Sequence, residues 1–143
     1  MADGTEKLQA GASLFTGPDQ VVEVRAITGR GIHSGYFRDP ETLVRQVTVL
    51  DTDPEVQGIY VTLNEVNPAL LARRKNRIAK CGPRDATTSD ADILRRRWFP
   101  VDIDPVRPSG VSSTEEEHEQ ALAMAETIAG WMTGLGFPEP VTG

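Results

Sequence analysis

Apolar and polar positions alternate with a period of two through QVVEVRAI (20–27), where Val22, Val24 and Ala26 are interleaved with Glu23 and Arg25. That period predicts a strand with one face buried and the other in solvent. The GRGIHSG that follows (29–35) reads as a turn or hairpin loop. At Asp39 and Pro40 the period changes: an N-capping aspartate and a first-turn proline precede Leu43, Val44, Val47 and Leu50 at helical spacing, which predicts a short helix of about ten residues. GIYVTLN (58–64) returns to alternation, with Ile59, Val61 and Leu63 on one face and Tyr60 and Thr62 on the other, and predicts a second strand.

Asn67 and Pro68 repeat the cap-plus-proline start and lead into ALLARRKNRIAK, expected to be a basic, amphipathic helix or broken helix. CGPRDATTSD (81–90) has the Gly, Pro and short polar residues of a loop, one whose hydroxyls and donors could meet a substrate. WFPVDID (98–104) predicts a strand with Phe99 and Val101 on one face, and PVRPSGV a rigid turn. SSTEEEHEQ opens the longest helix: Ser113 with Glu116 and Thr114 with Glu117 are overlapping candidates for a capping box, and the glutamates complement the helix dipole. Leu122, Ala125, Ile128, Ala129, Met132 and Leu135 form the stripe expected to be buried, with Gly134, Gly136 and Pro138 ending the helix and His118 in a structural role at the stripe's border. Residues 1–19 read as a loose N-terminus, and 20–143 as the domain. Strands and helices in this order predict an α/β (α+β) domain, a mixed sheet with flanking helices.

Composition narrows the class. The 143 residues suit one domain, and 38% hydrophobic with 25% charged residues is ordinary for a globular protein. No apolar run reaches the roughly 20 residues needed to cross a bilayer, and MADGTEKLQA lacks the basic and apolar regions of a secretion signal, so the expected compartment is the cytoplasm with no membrane partner. One cysteine, Cys81, excludes an intramolecular disulfide, and with two distant histidines it forms no zinc pattern. The net charge of −6 hides a segregation: residues 73–107 hold ten Lys/Arg against five Asp, so that segment is +5 and the rest −11. A local basic field of that kind suits a polyanionic partner.

Asp102 and Asp104 sit inside this basic segment, behind Arg95, Arg96 and Arg97 and ahead of Arg107. Two carboxylates roughly 5 Å apart repel by on the order of 3 kcal/mol at an effective dielectric of about 20. At i and i+2 of a strand they share a face, and a divalent cation such as Mg²⁺ or Mn²⁺ between them turns the repulsion into metal affinity. Such an ion keeps open positions for phosphates, and nearby arginines hold phosphate oxygens, so phosphoryl or nucleotidyl transfer is the expected chemistry, with Arg95, Arg96, Arg97 and Arg107 as phosphate contacts. A chemical rival is the DxDxV pattern of haloacid-dehalogenase-like phosphatases, with Asp102 as phosphorylated nucleophile; it needs a downstream lysine, and none follows Asp104.

Taken with their neighbours, GYF and DPETL (35–43), GIYVTLNEVNPALLARRKNRI (58–78) and TTSDADILRRRWFPVDIDPVRPSGVSSTEEEH (87–118) resemble the N-terminal part of a DNA primase/polymerase (prim-pol) catalytic domain of the archaeo-eukaryotic primase superfamily, as carried by phages, plasmids and other mobile elements. The resemblance implies a partial RRM-like core and places Asp102 and Asp104 in the first, metal-binding catalytic motif. It also implies Mg²⁺ or Mn²⁺ as cofactor, and a DNA template, nucleoside triphosphates and a helicase domain or protein as partners. The family's second motif, Ser-x-His, and its third, a further acidic residue, have no counterpart: His33 precedes Ser34, and His118 lies on the long helix. The expectation is therefore a domain truncated before those motifs and inactive in isolation. The alternative is a non-catalytic remnant or accessory module that binds nucleic acid or protein through the basic 73–107 face.

Overall fold

The computed structural model describes residues 4–141, which fall into two units, one ending at Phe99 and one beginning at Pro100. The first unit is an α+β sheet domain. Its elements are α1 (Gly4–Phe15), β1 (Val22–Thr28), β2 (Gly31–Phe37), α2 (Pro40–Asp51), β3 (Val56–Val61) and β4 (Ala79–Lys80), with short 3-10 turns at Pro68–Ala72 and Asp90–Asp92. The sheet order is β3-β1-β2-β4, and every strand pair is antiparallel.

α1 corrects the expectation of a loose N-terminus. Leu8, Ala12 and Phe15, spaced by four and three, form an apolar stripe that packs with Val22, Val24, Phe37, Leu43, Val44 and Val47. α2 begins as expected: Asp39 accepts hydrogen bonds from the Thr42 amide and hydroxyl, and Leu43, Val44 and Val47 are buried. The two helices thus cover one face of the sheet.

GRGIHSG is mostly strand, a second correction. Thr28 pairs with Gly31, so only Gly29 and Arg30 form the hairpin loop. Gly31 has φ +115, a conformation that glycine tolerates without penalty. The face of β1 expected in solvent is also covered. Glu23 is 1% exposed, and Val21, Tyr36, Val66 and Leu70 form a second core on that side, with Leu71 and Ile93 against it. Residues 62–93 supply the cover. Thr62 N donates to Glu23 O and Val66 N to Val21 O, so the chain leaves β3 along β1 before folding back.

Of the helix or broken helix expected after Asn67, the broken form is what the structure has: it stops after one short turn. Asn67 does cap it, accepting from the Ala69 amide. Past Arg73 the backbone bonds to the edge of β2 instead: Tyr36 N donates to Arg74 O, and Asn76 N to Tyr36 O. Asn76 takes φ +53, which a helix interior does not allow. Sheet-edge hydrogen bonds here displace the helical ones.

The second unit contains α3 (Glu115–Gly134). Of the two possible capping boxes, Thr114 with Glu117 forms: Thr114 N donates to Glu117 Oε2 at 2.8 Å, and Glu117 N to Thr114 Oγ1 at 3.2 Å. The expected buried stripe is corrected. Ala125, Ile128, Ala129 and Met132 are half-buried, while Leu122 and Leu135 are exposed, and no α3 residue is fully buried. His118 is exposed as well. Among the described residues no helix is long and apolar enough to cross a membrane.

Candidate functional site

Asp102 and Asp104 lie on a segment without regular secondary structure, so the strand expected over 98–104 does not form. Its backbone hydrogen bonds are taken elsewhere at the start. Asn64 Oδ1 accepts from Arg97 N at 2.7 Å and from Trp98 N at 2.8 Å, and Asn64 Nδ2 donates to Trp98 O at 3.2 Å. Pro100 and Pro105 have no amide to give to a ladder. Alternation nevertheless survives in the exposure: both aspartates are exposed, while Ile103 and Pro105 are half-buried.

The two carboxylates present hard oxygen donors, the chemistry that Mg²⁺ and Mn²⁺ select. Neither enters an ion pair among the described residues, so both are free to take a cation. No group of three or more His, Cys, Asp or Glu side chains able to hold a metal occurs among the described residues. By chemistry alone the two carboxylates suit such an ion as two ligands; the strand that would have turned both to one face is not formed.

The arginines expected to contact phosphate divide. Arg95 Nε donates to Glu65 Oε1 at 2.5 Å, and Arg107 Nη1 donates to the carbonyl of Val111, within its own turn. Arg96 and Arg97 are exposed and make no ion pair among the described residues. Asp92, near in sequence, is engaged with the Ser89 amide and hydroxyl, each at 2.8 Å.

A polar cluster of the first unit was not legible in the sequence. The Glu23 carboxylate accepts from Ser34 Oγ at 2.5 Å, Arg25 Nη2 at 2.7 Å and Thr88 N at 3.1 Å, and Arg25 Nη2 also reaches Thr88 O at 3.2 Å. Burial pushes the Glu23 carboxyl up, but the hydrogen bonds from Ser34, Arg25 and Thr88 outweigh it and leave its pKa below the ordinary value. Thr88 thus meets the sheet through its backbone, while the Ser89 hydroxyl bonds Asp92 at an exposed position. The one sequence signal was Glu23 and Arg25 at i and i+2, a pattern shared with any solvated strand face.

A cleft of about 600 Å³ opens between α1, α2 and β3, lined mainly by apolar groups that include Leu8, Phe15, Leu43, Val47, Ile59 and Val61. Trp98 packs edge-on against Phe15, with ring centroids 5.8 Å apart. No family model, curated protein or solved structure matches this chain.

Proposed function

We propose that the chain is part of a metal-dependent, template-directed nucleotidyltransferase of the DNA primase/polymerase type, with Asp102 and Asp104 as its first acidic motif. The observation that carries this reading is the DID triplet itself: two carboxylates in no ion pair among the described residues, separated by a half-buried isoleucine and preceded in sequence by Arg95–Arg97. A divalent ion held there would polarise phosphoryl oxygens and neutralise charge on a triphosphate. Of the chain's own residues, Asp102 and Asp104 would hold the ion; Arg96 and Arg97, which make no ion pair among the described residues, are the phosphate contacts that the sequence order suggests. The prim-pol resemblance of residues 87–118 supplies the substrate class, DNA and nucleoside triphosphates.

Manganese titration followed by electron paramagnetic resonance tests the reading. Asp102→Asn/Asp104→Asn should lower Mn²⁺ affinity at least tenfold, while Glu115→Gln/Glu116→Gln, a control pair of exposed acids, should leave it unchanged. Equal affinity in all three proteins would overturn the proposal.

A further inference from the structure

The edge of β2 away from β1 is closed by residues 74–81, and that closing segment is cationic. It meets β2 through Lys75 opposite Tyr36, Ala79 opposite Ser34 and Lys80 opposite His33, and Cys81 N donates to Ile32 O at 2.8 Å. Lys75 and Lys80 are thereby set three β2 residues apart, roughly 10 Å along the strand, an odd offset that puts them on opposite faces of the sheet edge. Lys75, Arg77, Lys80 and Arg84 are all exposed, and none is in an ion pair among the described residues. The buried Arg74 of this segment is paired with Asp85. The other four cations make no ion pair among the described residues.

Packing and hydrogen bonds tie this rim to the sheet and to α2. Gly35 lies under it so closely that a Cβ there would come within 2.2 Å of the Arg77 carbonyl oxygen. Ile78 N donates to Gln46 Oε1 of α2, and Ile78 packs on the helix-side core. The loop beyond is held by the Arg74–Asp85 pair and by Arg73 Nη1 donating to Ala86 O.

Lysines at a sheet edge often serve to block edge-to-edge association. The other edge of this sheet argues against that use. β3, VQGIYV, is six residues long, largely apolar and without a charge, so it needs a guard more than the two-residue β4 does. The cations are concentrated where edge protection is least required.

We propose that Lys75, Arg77, Lys80 and Arg84 form a contact surface for the phosphate backbone of single-stranded nucleic acid, separate from the arginines that precede Asp102. The choice of nucleic acid as the polyanion rests on the function proposed above; the cationic rim does not. Of the two rings paired with this rim, Tyr36 is fully buried and His33 half-buried. With no exposed ring there for a base to stack on, the contact is to phosphates and indifferent to sequence.

Fluorescence anisotropy of a labelled oligo-dT, titrated with the full chain over a range of NaCl concentrations, tests this. Replacing all four residues with glutamine should weaken binding at least tenfold at low salt. It should also make the slope of log K against log[salt] shallower by about 3, the single-strand value for four neutralised phosphates. Lys75→Gln/Lys80→Gln alone, two exposed positions, should give about half that change and serves if the fourfold variant fails to fold. Unchanged binding in the double variant, or binding lost only on Arg96→Gln/Arg97→Gln, would overturn the proposal. So would a double variant that self-associates while binding oligo-dT normally, since that is the behaviour of an edge guard. The manganese affinity at Asp102 and Asp104 is a separate readout, so the metal site and the rim can fail independently.

Discussion

Ser34 donates its hydroxyl to the carboxylate of Glu23 across the β1–β2 ladder, 2.5 Å away, and both residues are buried. Arg25 and the Thr88 amide complete the shell, so that one carboxylate joins two strands to a loop more than sixty residues along the chain. A charge placed this deep is stable only because each of its oxygens is answered.

Glu23→Ala should lower stability by about 3 kcal/mol, the lower end of the range for breaking a buried ion pair, because Arg25 retains some solvent. Urea denaturation at neutral pH measures it; a loss below about 0.5 kcal/mol would contradict the network.

The same carboxylate sets a pH dependence. Its folded pKa lies below the ordinary value of 4.5, so its contribution is fully present above that value and lost as the pH falls through the lowered folded pKa. Stability curves of the wild type should therefore fall on acidification below about pH 4.5, and Glu23→Gln should flatten that part of the curve. Parallel curves for the two proteins would exclude Glu23 as a source of the acid sensitivity.

Gly35→Ala should destabilise the chain by about 2 kcal/mol, since the new methyl meets backbone at Arg77 and not a movable side chain. Gly58→Ala is the comparison: its Cβ would meet the ring of Tyr60, which is 57% exposed and can swing away. Thermal melts should show a clear drop for the first and a much smaller one for the second.

Asn64→Ala removes three hydrogen bonds to Arg97 and Trp98. Trypsin should then cut after Arg95, Arg96 or Arg97 several times faster than in the wild type, while sites in α2 keep their rate. Equal cleavage would mean that the Phe15–Trp98 contact alone holds the segment.

Thr114→Ala should cost about 1 kcal/mol of helix stability, seen as reduced far-ultraviolet helical signal, because the capping box satisfies amides of the first turn of α3. Ser113→Ala should change little, as the cap that forms is the one at Thr114.

Local chemistry made much of this architecture readable. Asp39 with Pro40, Asn67 with Pro68 and Thr114 with Glu117 announce their caps through contacts spanning two or three residues, and the alternation in VEVRAI marks its strand for the same reason. The α+β class followed from the order of those signals. The DID triplet and its arginines were also visible in the chain, as residue types at a spacing.

Tertiary structure decided what competes for the backbone. The 98–104 run alternates like a strand, yet Asn64, brought alongside from residue 64, takes the amides of Arg97 and Trp98. The stretch after Asn67 reads as a helix or broken helix, yet beyond Arg73 the open edge of β2 offers Arg74 and Asn76 better-placed partners. Glu23 and Arg25 alternate like a solvent face, yet the chain returns over them and buries the carboxylate. In each case the sequence specified what a segment could do by itself, and a partner distant along the chain determined which of its hydrogen bonds were made.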